Sequence, residues 1–150
     1  MVKIEVTEKP LEPWKEIQRY EEEQIAPGNS GKVGAVATFI GTMRDFNEWD
    51  GVTGMELEHY PGMTDRYLEQ IAQEAATKWT LLDTLIFHRV GKLVPDDPIV
   101  LVAVWSSHRK EAFEACRWLM EELKSRAPFW KKELLNGGDS RWVEKNTAGY

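Results

Sequence analysis

Two apolar segments joined by a short turn set the strongest limit on how this chain folds. Residues 83–92 (DTLIFHRVGK) and 99–106 (IVLVAVWS) are rich in apolar and β-branched residues, which favour strands. Between them lies VPDDP, whose prolines and aspartates are typical of a turn. The two segments are therefore predicted to form a hairpin, and neighbouring strands with short connections favour an antiparallel sheet over a doubly wound parallel one.

Helices and further strands alternate along the rest of the chain. Helices are predicted over residues 13–24, 63–79 and 108–126, the second capped by Thr64 and the third by Ser106 or Ser107. Pro128 is predicted to end the third helix. Further strands are predicted over residues 2–6, 32–42, 52–60, 128–135 and 140–144, with loops over 27–31 and 44–51. The expected architecture is one α+β domain over residues 1–150, with three helices and a largely antiparallel sheet.

Composition argues against several functional classes. The chain has 150 residues, with 19 basic and 25 acidic side chains and a net charge of −6, which disfavours general affinity for nucleic acid or anionic membranes. It has no apolar stretch long enough for a transmembrane helix, and its first residues lack the basic-then-apolar order of a signal peptide. The one cysteine, Cys116, excludes an internal disulfide or a cysteine-rich zinc site, and the expected compartment is the cytoplasm.

The histidines and the cysteine do not suggest a metal site or a nucleophile. His59 and His88 lie in predicted strands with apolar neighbours, and each is predicted to be packed or hydrogen-bonded rather than a ligand. No spacing among the three histidines matches a metal motif. Cys116 lies on the interior stripe of its helix, where a buried thiol is a poor nucleophile.

One segment of this acidic chain is basic. Residues 124–132 (KSRAPFWKK) hold four cationic side chains and no acidic one. A local cationic pocket in an acidic protein indicates a specific small anion, such as a phosphate, rather than a polyanion. The alternative is a solvated basic helix end, favoured by the helix dipole. Further basic residues near the ends of predicted elements are Arg44, His108, Arg109 and Arg141.

Two positions on the third helix allow both a functional and a structural interpretation. Lys124 lies on the same face as Met120 and Phe113, so it is either a lysine at the edge of the core or a partly desolvated lysine that stabilises negative charge or transfers a proton. His108 and Arg109 lie at the helix start, where free N–H groups favour anions, although the start could simply be exposed to solvent.

Several long strings resemble the large, catalytic subunit of molybdopterin synthase, the MoaE family. They occur in the family's order and register from about residue 33 to residue 144, whereas the first 30 residues match weakly. LEHYPGM and K-[ST]-RAPFWK are unusual strings, so chance similarity is excluded in practice. The matching segments are FIGTMRDFN (39–47), LEHYPGMT (57–64), FHRVGKL (87–93), SSHRKEAFEA (106–115), LKSRAPFWKKE (123–133) and GDSRWVE (138–144).

The resemblance implies a fold of the α/β-hammerhead type and a homodimer that carries a small ubiquitin-like partner on each subunit, giving a heterotetramer. The partner's C-terminal Gly-Gly tail would carry a thiocarboxylate into the large subunit's pocket. Two sulfurs would pass to cyclic pyranopterin monophosphate (precursor Z), forming the dithiolene of molybdopterin, with no further cofactor and no metal. A chain with one buried cysteine is a poor sulfur donor, in agreement with an external sulfur source.

The resemblance also implies roles for particular residues. Lys124 is the family's central catalytic lysine, expected to stabilise charge on the thiocarboxylate adduct, and Lys131 is expected to hold the substrate phosphate or polarise the position under attack. Met43 has no polar contact group, so it is expected to act through its backbone or its shape, whereas Arg44 is the expected anion partner. The implied substrate-contacting positions are Thr42, Met43, Arg44, His108, Arg109, Lys132 and Glu133, with Arg141 a weaker candidate.

Helix length separates two groups of these residues. Arg109 and Lys124 are 15 residues apart on one predicted helix, which is about 22 Å at a rise of 1.5 Å per residue. A pterin does not bridge that distance easily, so His108 and Arg109 are predicted to serve the site of the other subunit. The alternatives to a synthase are a non-catalytic dimeric module that binds a ubiquitin-like tail and an anionic ligand, and an unrelated phosphate-ligand binding protein.

Overall fold

Two four-stranded sheets and four α-helices form the fold in the computed structural model, which describes residues 1–44, 52–135, 138 and 140–142. The helices are α1 (Pro13–Tyr20), α2 (Ala26–Asn29), α3 (Met63–Lys78) and α4 (Arg109–Arg126), with a π-helical turn, Glu21–Ile25, between α1 and α2. The strands are β1 (Val2–Thr7), β2 (Ala35–Thr42), β3 (Val52–His59), β4 (Asp83–Arg89), β5 (Gly91–Leu93), β6 (Pro98–Ser106), β7 (Phe129–Leu135) and β8 (Ser140–Trp142).

The sheets are largely antiparallel, as predicted. The first has the order β1-β4-β6-β2 and the second the order β5-β3-β7-β8. β4 and β6 pair antiparallel, from Asp83 opposite Trp105 to His88 opposite Val100, which confirms the predicted hairpin. β1 joins β4 in parallel, and the other pairings are antiparallel. The expected α+β class is therefore confirmed.

The predicted strand over 83–92 divides between the two sheets. β4 ends at Arg89 in the first sheet, and β5 pairs with β3 in the second. Between them the chain turns at Gly91, whose φ of 89° lies in the left-handed region that glycine adopts without a steric penalty. One continuous apolar run thus joins both sheets at the place where they meet.

The first sheet is buried on both faces. One face packs against α3 and α4 through Leu68, Ile71, Leu119 and Leu123. The opposite face packs against α1 through Ile17 and Tyr20, together with Trp105. Burial on two sides explains why β4 and β6 are continuous apolar runs rather than alternating ones.

The helix starts differ from the sequence prediction. Gly62, not Thr64, is the N-cap of α3; the Thr64 side chain is buried, accepts a hydrogen bond from the Tyr60 N–H and donates one to the Pro128 carbonyl. His108 is the N-cap of α4, and Ser106 instead bonds the backbone of His108. The Ser107 hydroxyl donates to the Lys32 carbonyl at 3.0 Å. None of these hydroxyls caps its helix, so the cap prediction was wrong.

The first helix is longer than predicted. It begins at Pro13 as expected, continues through the π-helical turn and ends with α2 at Asn29, inside the predicted 27–31 loop. Pro27 follows the π-helical turn, and the helical backbone continues through it to Asn29. The third helix ends at Arg126, before Pro128, as predicted.

A buried hydrogen bond between α1 and β4 gives a test of this packing. The Tyr20 hydroxyl donates to Asp83 Oδ1 at 2.7 Å, and both side chains are buried. Tyr20→Phe should lower the free energy of unfolding by about 1–3 kcal/mol because it leaves a buried acceptor with one donor fewer. Urea unfolding followed by circular dichroism measures this, with Tyr60→Phe as the control, since Tyr60 is 56% exposed. Equal stability of the two variants would contradict the assigned role.

Candidate active site

A narrow pocket lies where the end of α4 meets β3, β4 and β7. Its walls are apolar and include Met55, Leu57, Ile99, Leu123 and Phe129. Its polar lining side chains are Lys124, Lys131 and His88. The enclosed volume is about 40 Å³, much smaller than the roughly 300–1,000 Å³ of pockets that enclose a drug-sized ligand. A space of this size suits the end of a thin, extended group.

The turn after α4 brings the two lysines together. Lys124 lies in the last turn of α4, and the Ala127 N–H bonds the Leu123 carbonyl at 3.2 Å, which closes the helix. The Pro128 carbonyl accepts the Thr64 hydroxyl at 3.0 Å and so fastens the turn to α3. The chain then enters β7, where Lys131 lies opposite Leu57 of β3. The helix end and the strand thereby place their lysines at one pocket.

The two lysines are close enough to affect each other's charge. The pKa of Lys131 falls to about 8, first because the side chain is partly buried, then because the Lys124 ammonium is nearby and donates a hydrogen bond to it. Lys131 therefore exchanges its proton near neutral pH, whereas an ordinary lysine does not. A cationic pair of this kind is suited to binding an anion and to transferring a proton, and such shifts are concentrated at functional sites.

His88 is the third polar side chain of the pocket. It is 4% exposed, stacks on Phe129 with ring centroids 3.8 Å apart, and its Nδ1 lies 2.8 Å from the Arg89 carbonyl oxygen. Burial lowers the pKa of His88 to about 3, and the charges of Lys124 and Lys131 act in the same direction. The prediction of a packed, hydrogen-bonded histidine is confirmed. Sequence reasoning missed that it lines the pocket, because only the strand pairing places Phe129 against it.

The basic segment 124–132 does not act as one cluster. Arg126 does not line the pocket. It bonds Glu74 at 2.8 Å and Glu122 at 2.9 Å, and these carboxylates raise its pKa. Side chains alternate along β7, so Lys132 lies on the opposite face from Lys131, with its ammonium 5.3 Å from the Trp142 ring centroid. Lys132 therefore does not line this pocket together with Lys131, and its implied contact with the substrate stays a prediction. Glu133 shares the face of Lys131.

The end of β2 lies at the edge of the pocket wall. Thr42 ends the strand opposite Pro98, and Arg44 is exposed. Met43 is 2% exposed and packs in one cluster with Met55 and Leu57, while its backbone N–H and carbonyl bond residues 97 and 96. Met43 thus packs behind two of the wall residues, and its expected role in substrate contact stays a prediction. The remainder of the predicted 44–51 loop lies outside the described residues.

His108 and Arg109 lie at the opposite end of α4 from Lys124, and both are exposed. Because α4 is one uninterrupted helix, they stand about 22 Å from the pocket along its axis. A single chain therefore does not bring them to the two lysines. The Arg141 backbone belongs to β8, and its side chain lies outside the described part of the structure.

Other chemistries find no support in the described ranges. Among these residues, no group of three or more His, Cys, Asp and Glu side chains is arranged to hold a metal ion. No described helix is both long and apolar enough to cross a membrane. The Cys116 thiol is buried, and burial raises its pKa to about 11. A thiol of that kind is not a nucleophile near neutral pH.

The chain is an α+β protein with adjacent lysines at a narrow apolar pocket, an arrangement that suits the anionic end of an extended ligand. The sequence model of the MoaE protein family matches residues 6–126, which is most of the chain and begins well before residue 33. The chain therefore belongs to the MoaE family.

Relatives and solved structures agree with this assignment. The chain is 57% identical over 123 residues to the molybdopterin synthase catalytic subunit of Ralstonia nicotianae, covering 81% of this chain and 69% of that protein. It is similar to the crystal structure of molybdopterin synthase from Staphylococcus aureus, with a TM-score of 0.80, 34% identity and coverage of 93% and 96% of the two chains. A complex of subunits 1 and 2 of molybdopterin-converting factor from Helicobacter pylori shares the fold, with a TM-score of 0.77, 21% identity and coverage of 97% and 92%.

The coupling between the two lysines can be tested without any ligand. Lys124→Ala should raise the pKa of Lys131 above about 8, because it removes the neighbouring charge while the burial remains. The pKa is measured from the pH dependence of Lys131 acetylation, quantified by mass spectrometry. Lys132→Ala is the matched control and should leave that pKa unchanged, since Lys132 faces the other way. An unchanged value in Lys124→Ala would show that the two amines are not neighbours.

Proposed function

We propose that this chain is the catalytic subunit of a molybdopterin synthase. It transfers two sulfurs from the thiocarboxylated C-terminus of a small ubiquitin-like subunit to cyclic pyranopterin monophosphate and so forms the dithiolene of molybdopterin. The observation that carries the proposal is the Lys124–Lys131 pair at the narrow apolar pocket. Relatives that are molybdopterin synthase catalytic subunits, at up to 57% identity, supply the reaction class.

The state of the cysteine supports an external sulfur donor. Cys116 is buried, and the pKa of its thiol is raised to about 11, so this chain holds no reactive thiol of its own. Sulfur transfer then requires a second molecule that brings the sulfur into the pocket. The Helicobacter pylori structure of subunits 1 and 2 is a precedent for a two-subunit assembly on this fold.

Pocket size favours the C-terminal tail of a protein as that donor. A glycine tail has no side chains, so it fits a space of about 40 Å³ between apolar walls. Its negative thiocarboxylate would meet the ammonium groups of Lys124 and Lys131. The bulkier pterin would bind at the mouth, where the substrate contacts of Thr42, Arg44 and Glu133 are proposed.

The two lysines would have different roles in the reaction. Lys124, exposed at the pocket mouth, would stabilise negative charge on the adduct between the thiocarboxylate and the substrate. Lys131, whose pKa is about 8, would polarise the position under attack and exchange a proton within the working pH range. Neither role needs a metal or an organic cofactor, and the reaction is placed in the cytoplasm as part of the proposal.

A homodimer would complete the site. His108 and Arg109 stand about 22 Å from Lys124 along α4, so a second copy of the chain is proposed to bring its own His108 and Arg109 to the substrate. With one small subunit on each chain, the assembly is a heterotetramer. The positive side chains from both chains would then surround the cyclic phosphate.

Reconstitution tests the proposed reaction. The purified chain, the thiocarboxylated small subunit and cyclic pyranopterin monophosphate are mixed, and dithiolene product is measured. Lys124→Ala should lower the rate by about 10²–10³, the usual cost of removing one preorganised charge donor. Lys15→Ala is the control and should leave the rate unchanged, since that lysine is exposed on α1. No product from the wild-type chain, with partner binding intact, would favour the non-catalytic binding module instead.

Mixed dimers test whether the site is shared. Lys124→Ala and Arg109→Ala chains, each of low activity alone, are co-expressed with different tags. Random pairing of equal amounts should restore about a quarter of the wild-type sites, because in each mixed dimer one site receives both intact groups. Isolated mixed dimers without any gain in activity would show that Arg109 does not serve the partner's site.

A further inference from the structure

The polar side chains of the pocket are mostly hydrogen-bond donors, and few of them can accept a hydrogen bond. Lys124 and Lys131 in their charged forms are donors only, and they suit the oxygen or sulfur of an anionic chain end. The last residue of a peptide tail also carries a backbone N–H, next to its carboxyl group. Inside an apolar pocket this N–H needs an acceptor, because a buried donor without a partner is costly. His88 is the polar lining side chain that remains for this purpose.

The tautomer of His88 follows from its neighbours. Nδ1 lies 2.8 Å from the Arg89 carbonyl oxygen, which only accepts hydrogen bonds, so Nδ1 carries the proton and donates it. Burial and the two nearby lysines keep the ring neutral, with a pKa of about 3. A neutral imidazole protonated at Nδ1 has a lone pair on Nε2. His88 therefore presents an acceptor on the edge of the ring opposite the Arg89 bond.

That acceptor is held in place and not used by the protein. The ring is 4% exposed and stacks on Phe129, which with the Arg89 bond fixes its orientation. Among the described side chains and backbone groups, no hydrogen bond uses Nε2. A rigid, unused acceptor beside two cationic donors matches the hydrogen-bonding groups of a peptide C-terminus.

We propose that His88 is a binding residue for the sulfur-carrying tail, with Nε2 accepting a hydrogen bond from the N–H of the tail's last residue while Lys124 and Lys131 hold the anionic end. This inference rests on the proposed function, since it assumes that the tail enters this pocket. Once the anion is bound, its charge favours the protonated form of Lys131, so that lysine does not replace His88 as the acceptor.

Two substitutions separate this role from a structural one. His88→Asn retains an amide N–H near the position of Nδ1, which can still bond the Arg89 carbonyl, but it has no acceptor at the Nε2 position. His88→Gln places an amide oxygen near Nε2 and loses the bond to Arg89. His88→Asn should therefore bind the tail about tenfold more weakly than wild type, whereas His88→Gln should bind better than His88→Asn despite lower thermal stability. A purely structural role predicts the reverse order of affinities.

An altered tail identifies the bond itself. The small subunit, with an ordinary C-terminal carboxylate in place of the thiocarboxylate, is made by chemical ligation with its last peptide N–H replaced by an ester oxygen. Isothermal titration calorimetry should show about tenfold weaker binding of the ester tail to the wild-type chain. The same replacement should have little effect on binding to His88→Asn, because the acceptor is already absent. An ester several residues upstream, outside the pocket, is the control and should not depend on His88.

The possible failures are distinguishable. If the wild-type chain does not bind the unmodified small subunit, the proposed function fails and the inference fails with it. If it binds, but the ester weakens binding equally in the wild-type and His88→Asn chains, only the assignment of His88 is wrong. Equal affinity of the ester and amide tails for the wild-type chain would also overturn the assignment and leave the synthase proposal standing.

Discussion

Repulsion between two neighbouring ammonium groups is the constraint on which the arrangement of the pocket depends. Lys124 and Lys131 would separate if their backbones were free to move, yet each is held by structure that does not depend on the other. Lys124 is fixed by α4, which packs through Leu119 and Leu123 on the first sheet. Lys131 is fixed by the pairing of β7 with β3. The Thr64 hydroxyl bonds the Pro128 carbonyl and so holds the turn that connects α4 to β7. The scaffold thus opposes the repulsion, and the pKa of Lys131 falls first because its side chain is partly buried and then because Lys124 is nearby.

Two neighbouring lysines at one pocket favour the binding of an anion. An incoming anion removes the repulsion and restores the ordinary preference of Lys131 for its proton, so binding and protonation are linked. The neutrality of His88 matters here, because a third positive charge would increase the repulsion without adding an acceptor.

Local sequence patterns predicted which segments form helices and strands. Contacts between distant segments determined the helix caps and the strand ends, which local patterns did not predict. The apolar runs predicted the β4–β6 hairpin and the long helices correctly, since these depend on neighbouring residues. The cap at Thr64 was wrong because the Pro128 carbonyl, far along the chain, uses its hydroxyl. The end of β4 was missed because the turn at Gly91 depends on the position of the second sheet.

The candidate site shows the same division. The basic segment 124–132 was recognised from composition, and the family resemblance singled out Lys124 and Lys131. The register of β7 shows that Lys131, and not Lys132, faces the pocket. Arg126 lies outside the pocket because it bonds Glu74 on another helix. His88 had no sequence signal of its own, since a histidine among apolar strand residues is usually a packed one. Its place at the pocket follows from the stacking on Phe129.

The length of α4 gives the proposed dimer a physical reason. One helix, α4, carries Arg109 at its start and Lys124 in its last turn, too far apart to meet on one small substrate. A two-fold axis that places the start of one α4 near the end of the other would make two equivalent sites, each with Lys124 and Lys131 from one chain and His108 and Arg109 from its partner. Each site would then be complete only in the assembly. The pocket of a single chain, about 40 Å³, would take the tail alone, and the proposed dimer interface would then provide the place for the substrate.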